Sequence, residues 1–232
     1  MKFAAVAFDL DGTLYPNIRL FVRLVPFLLR EQRLLRALGK ARTYLRKSYE
    51  SPIGTEDTPS NMPAGDFYDT QARLMAGILG EDAELVKERT ERLIYRGWEP
   101  HFLKIRLFPH VKETLEAFKK MGIKMGLLSD FPPETKLKNL QIAGCWDAVC
   151  CSELSGRIKP DKKPFLDLAR KMGVPPEDIL YVGNSASYDV MGARGVGMKT
   201  ALIRSGWKKH PRSAAPDFVF SDYRQLYDYV VS

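Results

Sequence analysis

The sequence predicts an α/β fold: a doubly wound parallel sheet with a block of helices inserted after its first strand. Three observations carry this. The opening run Phe3-Ala4-Ala5-Val6-Ala7-Phe8 is short and apolar without alternation, as a strand buried on both faces should be. From Leu107 onward, short apolar runs alternate with amphipathic helical segments, the pattern of a parallel sheet with crossover helices. Between these regions, Pro16 to about Phe102 shows helical periodicity and no convincing strand.

The elements follow in order. After the first strand, Phe21, Leu24, Phe27 and Leu28, then Leu34, Leu35, Leu38 and Leu45, recur at helical spacing. Ser51 to Pro63 holds Gly54, Pro52, Pro59 and Pro63 and reads as a loop. Helices are predicted from about Asp66 to Leu79 and from about Asp82 to Tyr95, the second with acidic residues at its start to suit the helix dipole. Pro109 opens a helix through Lys119, and Ile123 to Leu128 is a strand ending at Ser129-Asp130. Glu134 to Gln141 is helical, Ala148 to Cys151 a short strand, and Lys162 to Met172 a helix. Ile179 to Val182 is a strand ending at Gly183-Asn184, followed by a helix around Asp189 and a strand at Thr200 to Ile203. A last strand, Phe218 to Phe220, precedes a C-terminal helix.

At 232 residues the chain can bury one sizeable core plus a small appended one. With 45% hydrophobic and 28% charged residues it has the composition of an ordinary soluble globular protein. No apolar run approaches the roughly 20 residues that span a bilayer, and Met1-Lys2 leads straight into the strand without a secretion signal, so a cytoplasmic location is expected. Cys145, Cys150 and Cys151 lack the partners of a zinc set and read as small apolar residues near a strand.

The chemistry gathers at strand ends. Asp9-Leu10-Asp11-Gly12-Thr13 follows the first strand, at the edge of an open α/β sheet where ligands bind. Alternate residues of extended chain face the same way, so Asp9 and Asp11 can converge, and converging carboxylates call for a cation or a shared proton. Ser129 closes the second strand, Lys159-Pro160 follows the third, and Asn184 and Asp189 follow the fourth. Read singly, Asp-Gly is a turn, Ser129 a helix cap, Lys159 a solvated charge and Asp189 a first-turn helix residue. Read jointly, four strand ends of one sheet supply carboxylates, a hydroxyl and an ammonium. Phosphoryl transfer needs that set: a carboxylate nucleophile, fixed positive charge around the phosphoryl oxygens, a proton for the leaving oxygen, and a cation such as Mg²⁺ that one or two carboxylates plus a carbonyl can hold.

In this order the motifs resemble those of the haloacid dehalogenase (HAD) superfamily, in its phosphatase form with a C1-type helical cap. Asp9 to Thr13 matches the first motif, Ser129 the second, Lys159-Pro160 the third, and Gly183 to Asp189 the fourth. The resemblance implies a HAD-like, Rossmann-like core over 1–15 and 103–232 and a helical cap over 16–102. It implies Asp9 as nucleophile, Asp11 as general acid and then base, Ser129 and Lys159 as phosphoryl ligands, and Mg²⁺ held by Asp9, the carbonyl of Asp11 and Asp189. An acid at Asp11 favours phosphate esters over carbon–halogen bonds, because the dehalogenases resembled lack it. One departure is Asn184, which stands where the fourth motif has an acid. It leaves the metal site one charge weaker, and it can ligate the metal or order a metal-bound water. The expected activity is hydrolysis of a small phosphorylated metabolite through an aspartyl phosphate; the alternatives are a phosphomutase and a catalytically weak protein that binds a phosphate ligand.

Residues 17–47 hold nine basic side chains (Arg19, Arg23, Arg30, Arg33, Arg36, Lys40, Arg42, Arg46 and Lys47) against Glu31, a net +8 that accounts for the whole chain's charge. Most are expected on a solvated face whose leucines pack inward; steering of anionic substrates is a second reading. A third is a basic helix on an anionic membrane surface, ranked below both because Pro26 interrupts the helix. No motif or stacking pattern supports nucleic-acid binding. Trp98 and His101 sit where the inserted block rejoins the sheet, in a packing role or at the cap mouth.

Overall fold

A computed structural model of the chain describes residues 2–48, 66–204 and 215–232. The loop read over 51–63 lies outside the described residues, as does the side chain of Arg19. The sheet has six parallel strands: β1 (Ala5–Phe8), β2 (Lys124–Ser129), β3 (Ala148–Cys151), β4 (Ile179–Gly183), β5 (Lys199–Ile203) and β6 (Phe218–Phe220), in the order β3-β2-β1-β4-β5-β6. β1 lies at the centre, with Phe8 opposite Leu127 of β2 and Val182 of β4. The chain moves outward from β1 through β2 to β3, then crosses back to β4 on the other side. That reversal opens a crevice at the C-terminal ends of β1, β2 and β4, the usual ligand position in such sheets.

Strand alternation sorts the core into two layers. Val6, Phe8, Met125, Leu127, Leu180 and Val182 face α6 (Val111–Lys120) and α10 (Tyr223–Val231). Ala5, Ala7, Leu128 and Tyr181 face α8 (Lys162–Met172), where small strand residues let Phe165, Leu168 and Met172 approach. The helix predicted from Pro109 starts two residues later, because His110 takes a left-handed conformation (φ 64°) that breaks the turn. The helix around Asp189 is a wide turn at 186–190 running into the short α9 (Met191–Arg194).

The block after β1 is all helix among the described residues: α1 (Asn17–Arg30), α2 (Gln32–Ser48), α3 (Phe67–Leu79), α4 (Ala83–Thr90) continuing through a wide turn to Tyr95, and α5 (Glu99–Phe102). Asp66 and Asp82 cap α3 and α4 by accepting from the first-turn N–H groups. Leu34, Ala37, Leu38 and Ala41 of α2 pack on Met75, Ala76, Val86 and Ile94 in a core of their own. The expectation that Pro26 interrupts its helix is corrected: α1 runs through it. Pro26 and Val22 are both exposed, so the Val22 carbonyl that loses its partner faces water. The apolar residues of α1 also divide unexpectedly. Leu20 and Leu24 join the core beneath the sheet, while Ile18, Val22, Val25 and Leu29 remain exposed. No helix among the described residues is long and apolar enough to cross a membrane.

Two of the basic residues expected on a solvated face turn inward instead. Arg42 is buried, ion-paired to the equally buried Glu153, within 3.6 Å of Asp130, and 4.3 Å over the ring of Phe131. Arg46 donates to Asp130 at 2.9 Å and to the carbonyl oxygen of Lys159 at 2.9 Å, and lies 4.2 Å over Tyr188. Burial raises the Glu153 carboxyl, and Arg42 beside it pulls it down. Arg42→Met therefore strands a carboxylate in the interior and should cost about 3–5 kcal/mol. Urea unfolding at pH 8 reads this, and adding Glu153→Gln should recover most of the loss.

Candidate active site

Each predicted site residue owes its place to the end of a strand. Asp9 leaves β1 with its N–H donating to the carbonyl of Val182, so the first acid is fixed by the sheet ladder. Asp9 is buried, and its carboxylate accepts from Lys159 Nζ at 2.6 Å and Thr13 Oγ1 at 2.7 Å. Burial pushes the Asp9 carboxyl up to about 7; Asp189 and Asp11 add to the rise, and Lys159 opposes it. Gly12 then turns the chain at φ 86°, where a Cβ would lie 2.0 Å from Asn184 Nδ2. Both the turn and the close approach require glycine there.

Lys159 reaches from the loop after β3 into the centre. Its ammonium lies 2.6 Å from Asp9 and 2.7 Å from Asp189, with Tyr181 Oη at 3.4 Å. Burial lowers the Lys159 ammonium pKa, but Asp189 and Asp9 outweigh it and hold the group charged. Asp189 uses its other oxygen for the loop, accepting from the N–H groups of Asn184 at 3.1 Å and Ser185 at 3.0 Å. Gly183 permits this, since a Cβ there would sit 2.3 Å from Asp189 Cβ. Ser129 ends β2 fully buried, and its hydroxyl is an orphan among the described residues. The next residue, Asp130, lines the cavity, and its oxygens go to Arg46 and to the N–H of Lys159.

Asp11 points away from Asp9's partners. Both its oxygens accept from Lys136 Nζ, at 2.7 and 2.8 Å, and one also accepts from the Tyr15 hydroxyl. Burial together with the Asp11 carboxylate pushes the Tyr15 phenol up, which keeps it a donor. Lys136 is 4% exposed on α7 (Glu134–Asn139), with its ammonium 4.8 Å over the Phe102 ring. Nothing local in the sequence marks Lys136 or Tyr15 as part of the site. A lysine on a short polar helix looks like every surface lysine, and only the contact with Asp11 distinguishes it.

The oxygen donors suit a hard cation. Asn184 Nδ2 donates to the carbonyl of Asp11 at 3.1 Å, so the amide and that carbonyl border one spot beside Asp9. An amide turned end for end presents its oxygen there. Among the described residues no three His, Cys, Asp or Glu side chains form a ligand cluster. A cation could rest on Asp9 and Asp189, the Asp11 carbonyl, the Asn184 amide and waters, a set that Mg²⁺ accepts. Asp189 stands across Lys159 from Asp9, and its second oxygen accepts from two backbone N–H groups of its own loop.

Above these groups lies a cavity of about 700 Å³. Its floor is Asp9, Asp11, Lys159, Asn184 and Asp189, and its roof includes Phe21, Ile94, Tyr95, Trp98 and Phe102 from the helical block. Trp98 thus lines the cavity while packing edge-on against Phe27 at 6.0 Å.

The family model described as haloacid dehalogenase-like hydrolase matches residues 3–197. The chain is 29% identical over 238 residues to a glyceraldehyde 3-phosphate phosphatase of Methanopyrus kandleri, covering 97% of this chain and 96% of that one. It is 29% identical over 231 residues to a phosphoglycolate phosphatase of Haemophilus influenzae, covering 97% of each. Among solved structures, a HAD phosphatase from Thermococcus onnurineus superposes with a TM-score of 0.63 at 26% identity, over 99% of this chain and 98% of that one. A 2-haloacid dehalogenase from Pseudomonas syringae shares the fold with a TM-score of 0.64 at 23% identity, over 98% and 97% of the two chains.

Proposed function

Because the chain belongs to the haloacid dehalogenase-like hydrolase family, we propose that its strand-end site hydrolyses phosphate monoesters of small metabolites, with Mg²⁺ as cofactor. The observation that carries this is the buried Lys159 ammonium set between the Asp9 and Asp189 carboxylates at the floor of the cavity. It holds a carboxylate nucleophile in place and brings positive charge to where phosphoryl oxygens arrive. The presence of Asp11, held by Lys136 and Tyr15, favours an ester with an oxygen leaving group. The relatives named as phosphatases act in the same direction.

The chemistry divides into two displacements. The Asp9 carboxylate attacks phosphorus, the bond to the ester oxygen breaks, and Asp11 in its protonated form gives that oxygen its proton. A water then attacks the phosphorus of the aspartyl phosphate; Asp11 takes the water's proton, and the P–O bond to Asp9 breaks to release phosphate. Lys159 and the free hydroxyl of Ser129 hold the non-bridging oxygens through both steps. Bound Mg²⁺ would rest on Asp9, the Asp11 carbonyl and Asp189, with Asn184 as ligand or partner of a bound water, and would supply further charge stabilisation for those oxygens.

The test is phosphate release from phenyl phosphate with Mg²⁺. Release should stop on adding EDTA and return with excess Mg²⁺. Activity unchanged in EDTA would remove the cation from the reading. Transfer of the phosphoryl group to a second alcohol in place of water would make the protein a mutase.

A further inference from the structure

Helix α1 is apolar on two sides. Leu20 and Leu24 go to the core, while Ile18, Phe21, Val22, Val25 and Leu29 go outward. Ile18, Val22 and Leu29 are 66%, 63% and 65% exposed. At 3.6 residues per turn the five outward side chains share one face, about a quarter of the circumference wide. The helix runs through Pro26, so that face is continuous along α1. A lone exposed apolar side chain is ordinary, but a contiguous row of them marks an interaction surface.

Charge of one sign surrounds the row. Arg23 and Arg30, two turns apart, border it on one flank, and α1 contains no acid. Arg30 lies 3.6 Å from Glu31, the single acid between residues 17 and 48. Immediately after it, α2 sets Arg33, Arg36, Lys40 and Lys47 on its exposed side and Leu34, Ala37, Leu38 and Ala41 on its buried one. The occupant of this surface must offer hydrocarbon to the row and negative charge over a wide area around it. A second copy of the chain brings the same cations to the contact, with only Glu31 to meet them. A protein partner would have to place carboxylates one by one against cations spread along two helices. An anionic bilayer meets both demands at once. Apolar side chains sink to the acyl boundary, and long basic side chains reach the headgroup phosphates beside them.

We propose that α1 docks on the surface of an anionic bilayer. Ile18, Val22, Val25 and Leu29 enter the acyl boundary, and Arg30, Arg33, Arg36 and Lys40 meet the headgroup phosphates. The docking is peripheral and reversible, and it does not depend on the catalytic reading.

Sedimentation of the full chain with vesicles tests this. Vesicles of equal parts phosphatidylglycerol and phosphatidylcholine should carry the protein down at low salt and release it at high salt. Pure phosphatidylcholine should carry down far less. A basic residue near such a surface is worth about fivefold in partition, so Arg33→Gln/Arg36→Gln/Lys40→Gln should weaken binding by roughly a hundredfold. Val22→Gln/Leu29→Gln keeps every charge and puts a good helix former at both sites; it should weaken binding by roughly tenfold or more at the same low salt. Leu85→Gln, at an equally exposed site on α4, should bind as wild type does. All three variants change exposed side chains and should melt at the wild-type temperature. Equal binding to both kinds of vesicle, or binding to neither, overturns the proposal. Binding that Val22→Gln/Leu29→Gln leaves unchanged is adsorption of a basic protein and overturns the assigned face. A dimer in lipid-free solution that this double variant breaks, read by sedimentation equilibrium, gives the row to a second copy and overturns the bilayer as its occupant.

Discussion

Asp9→Asn is expected to lower turnover by roughly 10⁴-fold or more, the scale seen when a covalent nucleophile is removed. The variant keeps the side chain's volume and one acceptor for Lys159, and the Thr13 hydroxyl can turn to accept from the new amide, so the protein should still fold. Its stability should move the opposite way from its activity. Burial holds the folded Asp9 carboxyl near 7, against 3.8 for an unperturbed one. The folded state therefore binds this proton more tightly than the unfolded state. The stability this contributes is fully present below about 3.8 and is lost as pH rises through about 7. Asn carries no such penalty. At pH 8 in the absence of metal, the variant should melt at or above the wild-type temperature, and the difference should vanish near pH 4. A variant that keeps wild-type turnover would remove Asp9 as nucleophile. One that melts well below wild type at pH 8 would show that the Asp9–Lys159 pair stabilises more than burial costs.

Lys159→Met should have the second-largest effect, and here stability and activity fall together. The ammonium is the shared partner of Asp9 and Asp189, all three being buried. Without it, two carboxylates face each other in the interior. The cost is about 3–5 kcal/mol at pH 8, read by urea unfolding. The deficit should shrink as pH falls and the carboxylates take up protons. Adding Asp189→Asn to Lys159→Met should recover part of the stability and none of the turnover. Recovery of turnover would make Lys159 a structural residue and would move the phosphoryl-binding charge elsewhere, with Lys136 the next cation on the cavity wall.

The basic stretch shows how sequence and structure divide the information. Nine basic side chains at 17–47 look alike in the sequence. In the fold, Arg42 is buried against Glu153, more than a hundred positions away, and Arg46 caps the loop that carries Lys159. Their partners lie on different elements, so no local pattern could have separated them from Arg33 or Lys40. The reverse holds for Pro26. Its local rule predicts a break, and the helix continues because the unpaired carbonyl faces solvent.

By itself the sequence determined the parallel α/β core, the helical block after the first strand, and the strand-end residues Asp9, Asp11, Ser129, Lys159, Asn184 and Asp189. These are legible because short apolar runs, turn-forming glycine and polar residues just after strands are local features. Only the tertiary structure decided the rest. It linked Asp9 and Asp189 through one ammonium, gave Asp11 the partners Lys136 and Tyr15, turned Asp189 toward its own loop, and closed an aromatic cavity over the site. Those facts depend on which strand ends become neighbours and which helix covers them, and that is settled by long-range burial, which no short stretch of sequence records.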